Sequence, residues 1–280
     1  MRTFALPVFL APLAVGCELL FPPADDDAEA VELPDTDRGG KDTGDSGTPK
    51  DSADSGETDS TDTNDSAESG PSYEDGILAW WPLESTDVRN VSGNGFAGTV
   101  TGTTAIAGKV GNALNFDGVD DLVSIGTDSR CRAAGGLSVA AWVRVSAPAA
   151  YGAIVTKRSC CTDADTFEWS LQNNEGVPAF GVFAGAAVSW AGASPYELDT
   201  WTLVVGVYDG TNTLLYVDGG LVSTTEAAGE PAEHDVAVTL GARQDPSGYA
   251  DFWAGAMDEV RLWNRALSAD EVAELCAAER

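Results

Sequence analysis

The chain has 280 residues, with 45 acidic side chains against 15 basic ones and a formal net charge of −30. So acidic a chain repels phosphate backbones and anionic lipid headgroups, which argues against nucleic-acid binding and a basic membrane-binding surface. The only histidine, His234, lies in a polar stretch where a surface role is expected. A single histidine excludes multi-histidine zinc sites, and its polar surroundings argue against a histidine-based catalytic triad.

The N-terminus has the pattern of a secretory signal. A positively charged start precedes an apolar run, 4–15, that is too short for an ordinary membrane-spanning helix. The segment ending in Cys17 resembles a bacterial lipobox, so we expect residues 1–17 to be a lipoprotein signal peptide with lipid on Cys17. A plain signal peptide with an incidental cysteine is the alternative. Because Glu18 follows, the expected location is the bacterial cell envelope, in the outer membrane or at the cell surface.

Residues 18–72 are expected to form a disordered linker. They carry 17 acidic and 3 basic side chains, and no aromatic residue occurs from 24 to 72. Too few apolar groups are present to offset the entropy of ordering such a segment. A flexible chain of about 50 residues spans about 35–42 Å, and charge repulsion extends it further. A calcium-binding repeat was considered, but no Asp-x-Asn-x-Asp-Gly loop is present. Glycosylation of the serines and threonines stays open.

From Tyr73 onward the composition changes to that of a folded domain, 73–280. Short apolar runs alternate with turn residues, and the Asp209-Gly210 pair between two such runs is a strong hairpin signal. Ser268 and Glu271 form a capping box that begins one short helix. The pattern predicts an all-β fold, a two-sheet antiparallel sandwich. The predicted strands are 77–81, 113–116, 122–125, 137–145, 201–208, 213–217, 221–225, 236–240 and 257–263.

Six segments of this domain resemble, in order, the LamG-like jelly-roll family of the concanavalin A-like lectin/glucanase superfamily. The segments are 76–84, 91–100, 108–125, 137–145, 201–222 and 255–275. The resemblance implies a jelly roll of roughly a dozen strands. It also implies a secreted or surface protein that serves as a binding or structural module, often with one bound Ca²⁺. Core packing is expected for the tryptophans within the strand runs, Trp81, Trp142, Trp201 and Trp263.

Calcium is the cofactor that the sequence suggests. Carboxylates and turn carbonyls are the ligands that Ca²⁺ prefers, and the Phe-Asp-Gly-Val-Asp-Asp turn holds three of them. The resemblance suggests that this turn, the end of the first strand and the last strand come together. The alternative is a set of solvated turn acids. The candidate ligands are Glu84, Asp117, Asp120, Asp121, Asp258 and Glu259.

Aromatic residues that lie outside the repeated strand motifs suggest a ligand site. Sugar rings stack on such side chains, and a polar rim reads hydroxyl groups by hydrogen bonds. The candidate ligand-binding residues are Tyr151, Trp169, Trp190, Tyr249, Trp253 and Arg243. The alternative is that these are ordinary half-buried aromatics.

The glucanases of the superfamily carry paired acids in an E-x-D-x-x-E pattern, which two-carboxylate hydrolysis requires. No such string occurs in this sequence. We therefore expect a non-catalytic module for a glycan or protein ligand, held to the membrane only through its lipid. A structural or adhesion protein of the envelope, whose jelly roll takes no small ligand, is the rival interpretation.

Four cysteines follow the lipobox: Cys131, Cys160, Cys161 and Cys276. An even number in an exported chain predicts disulfides, and four cysteines allow three pairings. A bridge between the adjacent Cys160 and Cys161 requires strain. The expected pairing joins Cys131 to one of these two residues and Cys276 to the other. A metal site is the alternative, without the usual C-x₂-C spacing.

Overall fold

The computed structural model describes residues 72–146, 151–159, 167–185 and 187–279. The predicted signal peptide, the lipidation site Cys17 and the linker up to residue 71 lie outside these residues. None of the helices in the described ranges combines the length and the apolar character that crossing a membrane requires.

The described residues form strands and one α-helix. In chain order the elements are β1 (Ile77–Trp81), β2 (Thr99–Thr101), β3 (Thr104–Ala107), β4 (Asn112–Asp117), β5 (Leu122–Gly126), β6 (Leu137–Val145), β7 (Tyr151–Arg158), β8 (Phe167–Asn174), β9 (Val177–Ala184), β10 (Ala187–Gly192), β11 (Trp201–Tyr208), β12 (Asn212–Val217), β13 (Gly220–Glu226), β14 (Val238–Leu240), β15 (Arg243–Asp245), β16 (Gly248–Ala250), β17 (Ala254–Trp263) and α1 (Ala269–Ala278). Two 3-10 turns, Ser72–Glu74 and Ser129–Cys131, complete them.

Two antiparallel sheets make the sandwich. The eight-stranded sheet has the order β13-β12-β11-β6-β17-β4-β3, with β1 paired to β17, and the seven-stranded sheet has the order β10-β9-β8-β7-β14-β5-β2. Strands β15 and β16 form a separate hairpin. The predicted two-sheet sandwich with a C-terminal helix is confirmed. Strands β2, β3, β7 to β10, β15 and β16 were not among the predicted strands. In β7 and β8, buried polar residues such as Lys157 and Glu168 interrupt the apolar pattern.

Turn chemistry sets the register of the predicted hairpin. The Asp209 carboxylate accepts hydrogen bonds from the Thr211 and Asn212 amides at 2.8 and 2.6 Å, and Gly210 has a φ of 96°. This geometry, which glycine adopts at little cost, reverses the chain between β11 and β12. Val207 then pairs with Leu214.

The core lies between the sheets and depends on close backbone approach. A Cβ atom at Gly206 of β11 would lie 2.3 Å from Cγ of Phe180 of β9, so glycine makes room for this ring. Trp81 and Trp263 are fully buried and Trp142 is 3% exposed, as expected for core residues. Trp201 is only half-buried, with the Arg144 guanidinium 5.1 Å from its ring centroid.

Helix α1 covers the outer face of the eight-stranded sheet. The predicted capping box is present: Ser268 Oγ accepts from the Glu271 amide at 3.2 Å, and the Glu271 carboxylate accepts from the Ser268 amide at 2.7 Å. Val272 and Leu275 are fully buried in an apolar cluster that includes Trp142. The helix therefore covers the part of this face around Trp142.

The two described cysteines lie in different apolar clusters. Cys131 belongs to the core between the sheets, and Cys276 lies on the buried face of α1. Neither is bonded to another described cysteine; Cys160 and Cys161 lie outside the described residues, so the disulfides remain a prediction. Burial raises the pKa of the Cys131 thiol to about 12, which keeps it neutral and disfavours a metal-binding thiolate.

Candidate binding site

One row of residues crosses the outer face of the seven-stranded sheet. Paired residues of antiparallel strands share a face, and each member of the row is adjacent in sequence to a residue of the core or packed against it. The row is Thr99, Ser124, Thr239, Thr156, Ser170, Gly181 and Trp190. A line of small residues thus ends in one tryptophan.

The middle of this row is closed to a ligand. Thr156, Ser170 and Thr239 are fully buried. Their hydroxyls have local partners, since Thr239 Oγ1 donates to the Ala242 carbonyl at 2.5 Å and Ser170 Oγ donates to Gln172 Oε1 at 3.0 Å. Only the ends of the row reach the surface, and Trp190 is half-buried at one of them.

Trp190 lies flat against its own sheet. A Cβ atom at Gly181 would come within 2.6–2.7 Å of three atoms of the indole, so only glycine leaves room for the ring. Phe167 meets the ring edge-on, with centroids 5.6 Å apart and planes at 77°. The buried Trp190 Nε1 has no hydrogen-bond partner among the described residues. The indole is therefore fixed on two sides and keeps a free donor.

A chain of contacts links Trp190 to the β15–β16 hairpin. Beyond Phe167, the Arg158 guanidinium lies 5.4 Å from the Phe167 ring and pairs with Asp251 at 3.1 Å. Asp251 in turn accepts from Arg243 Nε at 2.5 Å. We call these five residues the Trp190–Arg243 chain. Phe167, Arg158 and Asp251 were not among the predicted site residues. The sequence signal that could have identified them is Arg158, an arginine at the end of an apolar strand.

The end of this chain at the hairpin is polar and partly exposed. Arg243 also pairs with Asp245 at 2.9 Å. Hydrogen bonds from Ser247 and Arg243 lower the pKa of Asp245 to about 2. Tyr249 is 38% exposed and pairs across the hairpin with Gln244. Arginine, carboxylate and phenol groups at this rim can donate and accept hydrogen bonds.

Three of the predicted ligand-binding residues do not join this surface. Trp169 is fully buried and donates from Nε1 to the Cys131 carbonyl at 2.8 Å. Trp253 is 1% exposed and packs edge-on against Tyr196 at 6.3 Å. Neither ring can stack on a ligand, so both assignments are corrected to core packing. Tyr151 is half-buried at the start of β7, whereas the Trp190–Arg243 chain passes the other end of that strand.

The sequence did not predict a buried ion pair between β7 and β8. Lys157 Nζ lies 2.6 Å from Glu168 Oε1 and donates to the His234 carbonyl at 2.6 Å. The His234 amide also donates to Glu168 Oε1. Burial raises the pKa of Glu168, and the hydrogen bonds from Lys157 and His234 oppose that rise. The pair fastens the segment around His234 to strands β7 and β8.

The six predicted calcium ligands separate into three groups. Asp117, Asp120 and Asp121 place carboxylate oxygens within 4.8 Å of one another after β4. Backbone amides already occupy two of these side chains: Asp117 accepts from Val119 at 2.8 Å, and Asp121 accepts from Asp117 at 2.9 Å. Calcium at this turn stays a prediction, as does the alternative of solvated turn acids.

Glu84 and Asp258 both bind the turn at the opposite end of β4. Asp258 is fully buried and accepts from the Lys109 and Val110 amides at 2.8 and 2.9 Å. Glu84 accepts from the Asn112 amide at 2.9 Å. Burial raises the pKa of Asp258 to about 6, and its Oδ1 has no hydrogen-bond partner among the described residues. An orphaned buried carboxylate oxygen beside a second carboxylate fits the oxygen ligands of calcium.

Glu259 belongs to neither acidic group. Its carboxylate accepts from Trp80 Nε1 at 2.7 Å and pairs with Arg261 at 2.6 Å. Arg261 also pairs with Glu279 at 2.5 Å, and Glu279 accepts from Trp142 Nε1 at 2.6 Å. The structure therefore does not bring all six acids together, because a side chain next to Asp258 points to a different set of partners.

Several solved structures have a similar fold. The binding domain of Paraclostridial Mosquitocidal Protein 1 aligns with a TM-score of 0.62 and 12% identity, over 74% of this chain and 53% of that one. Domain 4 of the extracellular arabinanase AbnA from Geobacillus stearothermophilus, in complex with arabinotriose, aligns with a TM-score of 0.54 and 16% identity, over 71% and 98%.

The binding domain of Botulinum Neurotoxin DC in complex with SialylT aligns with a TM-score of 0.56 and 12% identity, over 75% of this chain and 53% of that one. The alignment thus covers about half the length of the two toxin domains. No curated protein matches the sequence significantly. Residues 117–273 match a family of the concanavalin A-like lectin/glucanases superfamily. Together with the two packed antiparallel sheets, this match places the chain in that superfamily.

Proposed function

We propose that the domain is a non-catalytic carbohydrate-binding module that uses the Trp190–Arg243 chain. The observation that carries the proposal is the half-buried indole of Trp190, which lies flat on Gly181 at the surface end of the row. An immobilised indole loses little entropy when a sugar ring stacks on it. Arg243 and Tyr249 supply hydrogen-bonding groups at the other end of the chain.

The comparisons support a glycan more than a protein as the ligand. The match to the arabinanase domain covers 98% of that domain, which was solved with arabinotriose. The match to the neurotoxin domain covers about half of it, so its SialylT ligand need not touch the shared part. These likenesses extend to the fold, and the Trp190 geometry supplies the argument for the site.

The buried acid beside this surface supports a non-catalytic role. Two-carboxylate glycoside hydrolysis needs a pair of acids on either side of the scissile bond. Glu168 is fully buried and held by Lys157 and the His234 amide, and Asp251 is engaged by two arginines. Neither carboxylate is free to attack or protonate a sugar.

Glycan arrays with residues 73–280 test the proposal. We expect binding to one class of glycan, lost in Trp190→Ala and retained in Trp201→Ala. Trp201 is a matched control because it is also half-buried but lies on the other sheet. Arrays without binding, together with a captured envelope protein, would instead support the structural or adhesion role.

We also propose a structural calcium ion at Glu84 and Asp258. The ion would neutralise two facing carboxylates and hold the 108–112 turn on β17. We expect EDTA to lower the melting temperature of the wild type and calcium to restore it. Asp258→Asn should remove this response, and Asp120→Asn, in the turn at the other end of β4, should keep it. Identical melts of the wild type with and without EDTA would contradict the proposal.

The lipid anchor at Cys17 and a location at the bacterial surface are part of the same proposal. An acidic linker between anchor and domain would hold the binding surface away from the membrane. Metabolic labelling with palmitate should mark the wild-type chain and spare Cys17→Ser. Labelling of the variant to the wild-type level would remove the anchor from the account.

A further inference from the structure

A pocket lies on the eight-stranded sheet, apart from the Trp190–Arg243 chain. It is a half-open cleft of about 240 Å³ beside the first strand and the turn that precedes it. Its lining residues are Tyr73, Glu74, Ile77, Trp80, Val91, Ser92 and Arg261.

The edge of β1 that does not pair with β17 forms one wall of this pocket, and polar side chains bond to it. Asn90 Oδ1 accepts from the Trp80 and Ser92 amides, each at 2.9 Å. Ser92 Oγ donates to the Leu78 carbonyl at 3.0 Å. These bonds hold the segment after β1 alongside the strand, and Val91 stands at the opening with 53% of its surface exposed.

The interior of the pocket is apolar and aromatic. Trp80 and Ile77 are half-buried side chains of β1, and Tyr73 is 7% exposed. The Arg261 guanidinium lies 4.4 Å from the Trp80 ring centroid. An occupant must therefore offer an apolar segment that fits between these walls.

The charges around the pocket are predominantly negative. Among the described residues that line the pocket, Arg261 is the only basic one, and it is already paired with Glu259 at 2.6 Å and Glu279 at 2.5 Å. Glu74 lies exposed at the rim. Burial raises the pKa of Tyr73, Arg261 opposes the rise, and the nearby Glu74, Glu279 and Glu274 add to it.

We propose that this pocket binds a lysine side chain of a partner protein. Lysine combines a four-carbon apolar stem with a compact positive charge. The stem suits the walls of Ile77, Trp80 and Val91, and the ammonium suits the carboxylate of Glu74. Anionic ligands are disfavoured by the surrounding glutamates, and neutral ligands gain nothing from them. This contact is independent of the glycan site and would give the module a second attachment point.

The test is an NMR titration of the 73–280 domain with the peptide acetyl-Gly-Lys-Gly-amide. We expect saturable shifts of the Trp80 indole N–H resonance that weaken as salt is added. The same peptide with norleucine, which keeps the stem and lacks the charge, should bind more weakly than the lysine peptide. Trp190→Ala should leave the titration unchanged, which separates this site from the glycan site.

Two variants localise the binding without disturbing the fold. Glu74→Gln should weaken the lysine peptide about two- to fivefold, as expected for one partly exposed ion pair. Glu197→Gln, an equally exposed acid elsewhere in the chain, should have no effect. Equal binding of the lysine and norleucine peptides, or shifts that do not include Trp80, would overturn the proposal.

Discussion

The two outer faces of the sandwich differ in what covers them. On the outer face of the eight-stranded sheet, α1 covers the region around Trp142, where Val272 and Leu275 lie in the same apolar cluster. The outer face of the seven-stranded sheet carries the row of small residues and, at one end of it, the half-buried Trp190. Apolar burial stabilises the first face, whereas a few polar contacts hold the second and leave an aromatic ring at its surface.

Because of this difference, tryptophans in similar sequence patterns have different roles on the two faces. A ring under the helix contributes stability, and a ring at the surface end of the polar row is available for recognition. Each prediction below tests one side of this division, beginning with the largest expected effect.

Removing the lysine of the buried pair should be the most damaging change. Lys157→Met leaves the fully buried Glu168 without its positive partner, and loss of one member of such a pair costs about 3–5 kcal/mol. Urea unfolding of the domain would measure this loss. The double variant Lys157→Met with Glu168→Leu should recover most of the stability. A single variant within 1 kcal/mol of the wild type would show that the pair does not hold the polar face together.

A truncation under the helix should cost less and leave recognition intact. Val272→Ala removes two fully buried methyl groups from the apolar cluster, with an expected loss of about 2 kcal/mol. Glycan affinity at 25 °C, where the domain stays folded, should not change. A parallel loss of affinity would mean that the two faces are coupled, against the division proposed above.

Buried acids on the helix-covered sheet should make the metal-free domain more stable in weak acid. Burial raises the pKa of Asp258 to about 6 and that of Glu259 to about 7, above their ordinary values of 3.8 and 4.5. Between these limits the folded state binds more protons than the unfolded state, so stability falls as pH rises from about 4 to about 7. In EDTA, the melting temperature should therefore be higher at pH 5 than at pH 8. Glu259→Gln should reduce the difference, and an unchanged slope in that variant would contradict the assignment.

Local patterns of the sequence predicted the sandwich well. The Asp209-Gly210 turn, the capping box at Ser268 and the alternation in β6 all depend on neighbouring residues. Strands β7 and β8 were missed because their buried polar residues have partners distant in the chain, as Lys157 has in the His234 carbonyl.

The candidate sites were predicted less well, for a physical reason. Trp169 and Trp190 differ in role because register places Trp169 in the core and sets Trp190 opposite Gly181. Likewise, Asp258 and Glu259 are neighbours in sequence, but a register shift in β17 gives them different partners. Register depends on contacts between distant segments, and a list of residue types does not contain it.

The most direct test of the central claim compares glycan binding by the wild-type domain, Trp190→Ala and Trp201→Ala on one array at one protein concentration. We expect the wild type and Trp201→Ala to bind the same glycans and Trp190→Ala to bind none of them while keeping its melting transition. Binding that survives in Trp190→Ala, or that disappears in Trp201→Ala alone, would contradict the claim that the glycan binds at Trp190 on the seven-stranded sheet.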